Sequence, residues 1–478
     1  MTERSLPRGA QIIFRTLLGA GYECYLVGGS VRDALLGGPG ADLDFTTNAR
    51  PRDLLRLFRH SYYPNAFGTV LVNLGGAQYE ITTYRGEGRY SDRRHPDEVH
   101  FVDRLQDDLM RRDFTVNAMA MDVHCEVIDP FGGRADLERR LIRAVGDPAE
   151  RLTEDPLRMM RAARFATQLC FSIEQDTWQA IATHAALLSV ISRERVRDEL
   201  LKILASDHPL TGIDFLDHLQ LLPDILPELA AAQRLNQPPA QRFNLYHHAL
   251  QSLHRCYAAL AVSHFSAIAG DSAADGIHAS SSPEVSSAYA GNGTREALIR
   301  LAALLHVLAE VPAAADAAPV PSGAIEHSLQ RLRLSNTHLE RVRTLITGIA
   351  AVPEDLPSNA RSARGLLSAY GDLLPDLLRV VEAHRWAAGI PAEQVQPEQL
   401  TELRRLAIKV GQEQHPLKLA DLAVTGADLM QALDLPPGKT VGRLLRLLLA
   451  RVLDEPRCNT RAALLEIATS EIKGGEWP

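Results

Sequence analysis

Over the first 145 or so residues, short apolar runs alternate with helical patterns. Residues 12–18 carry helical spacing, and residues 24–27 form a short apolar run that stops at Gly28-Gly29, which predicts a strand. A helix over 31–36, a strand at 43–45 and a helix over 52–58 follow. Runs at 68–74 and 78–84 flank Gly75-Gly76, a hairpin signal. Beyond about residue 150 the strand signal ends. Helical periodicity then dominates, as in 156–170, 195–204, 298–308, 325–349 and 441–453. The pattern predicts an α+β fold, with a small mixed sheet in an N-terminal head and an all-α remainder.

One stretch departs from it. Between 263 and 293, 19 of 31 residues are Ala, Gly or Ser and none is Lys or Arg, as expected of a flexible insertion. Residues 311–323, rich in Ala and Pro, are expected to form a loop. Four segments result: a head over 1–148, a helical neck over 149–205, a helical body over 206–330 containing the insertion, and a helical body and tail over 331–478.

The chain has 478 residues, 46% of them hydrophobic and 23% charged, which suits a globular protein of more than one domain. A net charge of -8 argues against a polybasic nucleic-acid coat. Of the 51 basic residues only five are lysine, and arginine suits bidentate recognition of phosphates and bases, although GC-rich coding gives the same bias. Five scattered cysteines with no CxxC pair read as reduced core residues of a cytoplasmic protein. No run of 18 apolar residues suggests a membrane span.

The chemistry concentrates between Leu26 and Thr47, in LVGGSVRDALLGGPGADLDFTT. A strand ending in Gly28 and Gly29 and opening a helix turns backbone N–H groups toward whatever lies above the glycines, as in a phosphate cradle; a plain tight turn also uses a Gly pair. Asp42 and Asp44, two apart on a short strand, point to one face. Carboxylates held that close repel unless a cation lies between them, and Mg2+ with phosphate oxygens is the usual occupant. Together with Arg32 the group points to metal-assisted chemistry on a nucleoside triphosphate.

GGSVRD followed by DLDF resembles the nucleotidyltransferase superfamily. Further segments narrow the resemblance to the bacterial tRNA nucleotidyltransferase and poly(A) polymerase family, the class II CCA-adding enzymes. These are EITTYR (80–85), RRDFTVN (111–117), EDPLR (154–158) with Arg161 and Arg164, RVRDELLK (195–202), and a weaker match over 424–445.

The resemblance implies that Asp42 and Asp44 bind Mg2+ between the triphosphate and the RNA 3′-hydroxyl. Glu80 would be a third carboxylate, though its strand position also fits a solvent-facing residue. Gly28, Gly29 and Arg32 would contact the triphosphate. Arg112, Asp113 and Asn117, read as one helix with Asp113 and Asn117 at i, i+4, would hold a ribose; an intrahelical polar pair is the other reading. Asp155, Arg158, Arg161 and Arg164 recur every three residues along a helix whose first turn is marked by Pro156. Asp155 fits an N-cap, but the resemblance implies that Asp155 and Arg158 read the Watson–Crick edges of cytosine and adenine, with Arg161 and Arg164 carrying on toward phosphate or base.

Residues 85–101 read as a charged, mobile loop, whose presence in relatives goes with addition of the terminal A. The stretch YYPNAFGTVLVNL lacks the arginine-rich strand of bacterial poly(A) polymerases. Many relatives carry a metal-dependent HD phosphohydrolase domain. Here His247, His248, His254 and His306 remain, but Val307 stands where the Asp belongs, so the region is read as an inactive helical body with surface or packing histidines. Near the C-terminus Lys439, Arg443 and Arg446 share a helix face, with Leu444, Leu445, Leu447 and Leu448 inward; that face is either a phosphate contact for tRNA or an ordinary solvated one.

The expected function is template-independent transfer of CMP and AMP from CTP and ATP to the tRNA 3′ end, with Mg2+ and release of pyrophosphate, by a monomer or homodimer. The alternatives are an A-only or CC-only enzyme, a poly(A) polymerase, and a non-catalytic RNA-binding protein on a decayed transferase.

Overall fold

The structure, a computed structural model, describes residues 6–38, 43–64, 67–87, 99–233, 245–268, 289–309, 323–388, 397–413 and 415–474. Its head is built on a seven-stranded mixed sheet. In chain order the strands are β1 (Cys24–Val27), β2 (Asp44–Thr47), β3 (Ser61–Tyr62), β4 (Thr69–Leu74) and β5 (Ala77–Thr83), then β6 (Arg85–Glu87) and β7 (Val99–Phe101), then β8 (Ala120–Met121) and β9 (Val127–Ile128). The sheet order is β3-β4-β5-β2-β1-β8-β9, while β6 and β7 pair separately.

The hairpin forms as predicted. Gly75 and Gly76 both take positive φ, 61° and 83°, which a two-residue turn matching the strand twist requires, and Leu74 faces Ala77 across it. Every pairing in the sheet is antiparallel except that of β2 with β5, which sets Asp44 opposite Glu80. The helix Arg8–Gly19 buries Ile13, Phe14 and Leu17, and the Phe14, Phe45 and Tyr79 rings meet edge to face at 5.3 and 6.2 Å. Each such ring contributes about 1.5–3 kcal/mol by leaving water, which fixes one face of the sheet and leaves its rim for chemistry.

The long loop expected over 85–101 is a β6–β7 ribbon at its two ends, Arg85 pairing with Phe101, and 88–98 lie outside the described residues. Among the described residues the remainder is helical with one exception: β11 (Ser172–Ile173) pairs in parallel with β10 (Leu141–Ile142), joining neck to head. The neck helix Leu157–Leu169 starts after Pro156 and stops at Cys170, whose left-handed φ of 53° ends the helix and leaves this thiol exposed rather than in the core.

Beyond the head the neck helix Arg193–Ala205 packs together with the helices Leu245–Ile268, Tyr289–Leu305 and Leu374–Ala387. Arg300 is buried there, its guanidinium donating to the carbonyls of Leu204 and Ser206 at 2.6 Å each, so a side chain caps the end of the Arg193–Ala205 helix. The ends of the stretch expected as an insertion, 263–268 and 289–293, are helical, and 269–288 lie outside the described residues. Most of the loop expected over 311–323 also lies outside them; Gly323, at φ 79°, precedes the helix Ala324–Arg331.

The single helix expected over 325–349 is two, Ala324–Arg331 and Asn336–Gly348. Arg333 turns to φ 45°, and Ser335 caps the second helix by accepting from the His338 N–H. Apolar periodicity runs through the break, which is why the pattern conceals it. A separate core around Leu429, Leu444, Leu448 and Leu464 organises the C-terminal helices, tied back by Arg364, which donates to the carbonyls of Leu453 and Asp454. No helix among the described residues is long and apolar enough to cross a membrane.

Candidate active site

A cavity of about 520 Å³ opens between the sheet rim and the neck helix. Gly28 ends β1 at φ 67° and ψ -132°, a backbone state open to glycine, and a Cβ there would stand 3.0 Å from Arg112 Nη1. Gly28→Ala is therefore expected to cost about 1–2 kcal/mol and to weaken triphosphate binding; urea denaturation together with nucleotide titration checks both.

From the helix Gly29–Leu35, the Ser30 hydroxyl accepts from the Asp44 N–H at 2.9 Å, fixing the start of β2. Asp44 is half-buried, Glu80 is exposed, and both line the cavity from adjacent strands. This oxygen-only donor pair suits a hard divalent cation. Asp42 lies outside the described residues.

The arginines surround these acids. Arg32 donates to Asn117 Oδ1 at 2.8 Å and to Asp33. Arg112 lies against the buried Asp108, which also holds Arg111, and its buried Nε has no hydrogen-bond partner among the described residues. Such a buried donor is costly unless something enters the cavity to accept from it.

Arg112, Asp113 and Asn117 do not share a helix. The helix Leu105–Met110 ends before them, Phe114 is extended and bridges Ala144, and Asn117 closes a 3-10 turn over Thr115–Asn117. The expected pair nevertheless forms: Asn117 Nδ2 donates to Asp113 Oδ1 at 3.2 Å. Arg161 grips the other Asp113 oxygen through Nε and Nη2 at 2.8 and 2.5 Å. Burial raises the Asp113 pKa, but the Arg161 charge and the hydrogen bonds from Arg161, Asn117 and the Phe114 N–H outweigh it and hold the carboxyl down at about 2. Asp113 is thus an ionised strut between head and neck, with Asn117 and Arg32 on its cavity side.

Asp155 and Arg158 both line the cavity, each with other partners. Asp155 accepts from Arg195 at 2.7 and 3.3 Å and from the Leu157 N–H at 3.1 Å, so it is a cap as well as a cavity acid. Arg158 is buried and donates to Glu154 and to the carbonyls of Arg151 and Arg111 at 2.7, 2.8 and 3.1 Å. Arg164 leaves the group: it turns from the cavity to Glu199 and lies 4.1 Å over the Phe165 ring. The three-residue stripe winds around its helix, and by Arg164 it faces the Arg193–Ala205 helix.

Arg85, Arg111, Phe165 and Arg195 also line the cavity, beyond the site residues that the sequence indicates. Phe165 carries the guanidiniums of Arg32 and Arg161 on its ring at 5.3 and 5.2 Å. Its place among arginines at helical spacing was the available signal. Among the described residues the cavity wall holds seven arginines against four acids, an anion-attracting enclosure within an acidic chain.

A glycine-ended strand, a helix behind it and a carboxylate pair at a sheet rim define a nucleotidyltransferase head. Comparison with known families gives the same class. Residues 24–143 match the poly A polymerase head domain, 170–233 the model described as "Probable RNA and SrmB- binding site of polymerase A", and 316–468 tRNA nucleotidyltransferase domain 2. Together the three matches, each to a domain of poly(A) polymerases or tRNA nucleotidyltransferases, span most of the chain.

It is 47% identical to the CCA-adding enzyme of Lactobacillus helveticus over 48% of this chain and 57% of that protein, and 47% identical to that of Lactiplantibacillus plantarum over 49% and 58%. The chain spans somewhat more than half the length of these relatives. Its fold matches the Bacillus stearothermophilus CCA-adding enzyme, solved in complex with CTP, at 29% identity and a TM-score of 0.70 over 98% of this chain and 99% of that one. The Thermotoga maritima CCA-adding enzyme, solved with tRNA, shares the fold at 19% identity and a TM-score of 0.57.

Proposed function

We infer that the protein adds CMP and AMP from CTP and ATP to the 3′ end of tRNA without a template. The observation that carries this reading is one enclosure holding a carboxylate pair on the sheet and an acid with a donor fork, Asp155 and Arg158, on the neck. The first serves phosphoryl transfer and the second a nucleobase. CTP in the Bacillus relative supports it.

Asp42 and Asp44 would hold Mg2+, which when bound supplies charge neutralisation on the triphosphate and activates the RNA 3′-hydroxyl. Gly28 and Gly29 let the triphosphate approach the backbone, and Arg32 and Arg112 balance its charge. Asn117, poised by Asp113 and Arg161, holds the ribose. Asp155 accepts from, and Arg158 donates to, the edge of cytosine or adenine, whereas uracil and guanine offer the wrong donor and acceptor order. Glu80 supplies a further carboxylate beside Asp44.

In the C-terminal region Lys439, Arg443 and Arg446 are exposed on the helix Lys439–Asp454, while Leu444 and Leu448 are buried and Leu445 and Leu447 half-buried. This face would contact tRNA phosphates far from the chemistry. A poly(A) polymerase is the competing activity of the same head. With ATP alone, a tRNA lacking its terminal A should gain one nucleotide while an unstructured RNA of equal length stays unextended, as read on a sequencing gel. Long A tails on the unstructured RNA would overturn the tRNA reading.

A further inference from the structure

Far along the chain from the catalytic residues, three histidines converge inside the helical body. His248 comes from the helix Leu245–Ile268, His306 opens the 3-10 turn His306–Ala309, and His384 comes from the helix Leu374–Ala387. His248 and His306 are buried and His384 is half-buried; one ring nitrogen from each lies within 4.8 Å of the other two. His306 Nε2 stands 3.4 Å from His248 Nε2 and 3.0 Å from His384 Nδ1. His254 lies apart from them, exposed beside Trp386, as expected of a surface or packing histidine.

The geometry points to a transition-metal site of the Zn2+ class, held by His248, His306 and His384, that pins three segments of the helical body together. Ligands about 2.0–2.1 Å from a tetrahedral Zn2+ lie about 3.3 Å from one another, close to the two separations measured from His306. Orientation agrees. His306 Nδ1 sits 2.8 Å from the Ala303 carbonyl, so this nitrogen carries the proton and the Nε2 lone pair faces the other two rings. His248 is oriented in turn by a hydrogen bond to the His384 backbone.

Burial makes all three rings reluctant to charge, drawing His248 and His384 down to about 4 and His306 well below its usual value, which keeps them in the neutral form that ligates metal. Three imidazoles with no carboxylate select Zn2+, Co2+, Ni2+ or Cu2+ and are poor ligands for Mg2+. Val307, buried beside His306, removes the hard oxygen donor of a hydrolase centre but leaves this softer set intact. Ligands 58 and 78 residues from His306 close long loops, so the bound ion acts as a staple.

The same contacts would also form if the His248 and His384 N–H groups both donated to His306 Nε2 with no ion present, and metal titration separates the two cases. The full chain, stripped with a chelator, is titrated with Co2+ and then Zn2+. One equivalent of Co2+ should give visible bands of a nitrogen-ligated tetrahedral ion without thiolate charge transfer, and Zn2+ should displace it and raise the thermal midpoint by several degrees. His384→Gln and, separately, His248→Gln should each weaken binding by at least about tenfold and remove the shift. Metal uptake unchanged in both variants, a thiolate spectrum from a cysteine such as Cys170, or a midpoint indifferent to metal in the unmutated chain would overturn the site and leave a hydrogen-bonded histidine core.

Discussion

Asp44→Asn should lower nucleotide transfer by on the order of 10³-fold while leaving tRNA affinity within about twofold, because in the proposed mechanism the charge it removes acts on the reacting groups alone; the loss corresponds to about 4 kcal/mol. The substitution keeps the backbone bond to Ser30 and the pairing with β5, so the sheet should be undisturbed. Asp42→Ala is expected to behave in the same way. Glu80→Gln, from the exposed carboxylate beside Asp44, should cost less. Single-turnover extension with filter binding of tRNA measures both quantities. Joint loss of activity and binding would make Asp44 a structural residue.

The second large effect is expected in nucleotide choice. Arg158→Lys keeps a positive charge but loses the planar fork, and discrimination of CTP and ATP against UTP and GTP should fall by up to about 3 kcal/mol, on the order of 100-fold. Arg158 now donates to Glu154, Arg151 and Arg111, and Asp155 is held by Arg195, so a base read as proposed must draw both from existing partners. Those partners preset the two side chains at the cavity wall. kcat/KM for each of the four triphosphates is the readout. Unchanged selectivity with a lowered melting temperature would mean that Arg158 only ties the neck to the head.

Local signals carried much of this architecture. The Gly75-Gly76 turn, the strand stop at Gly28 and the start after Pro156 depend on backbone preferences of a few adjacent residues, and the structure places them where the pattern does. Long-range pairing was another matter. Alternation in QYEITTY places Glu80 on a strand, but the parallel register that sets it opposite Asp44 depends on which strand β5 joins.

Spacing also misled. Asp113 and Asn117 sit four apart as on a helix, yet the bridge from Phe114 to Ala144 draws the chain straight between them. The partners of Asp155 and Arg158, and the meeting of His248 with His306 and His384, join residues far apart in sequence, and no local pattern encodes them.

The most direct measurement uses tRNA lacking the whole CCA end, tRNA lacking only the terminal A, and mature tRNA, each with Mg2+ and CTP, ATP or both, with products read at single-nucleotide resolution. Three nucleotides should be added to the first in the order C, C, A, one A to the second, and none to the third. Extension of the second substrate alone, a stop after CC, or no extension of any would contradict CCA addition by this chain.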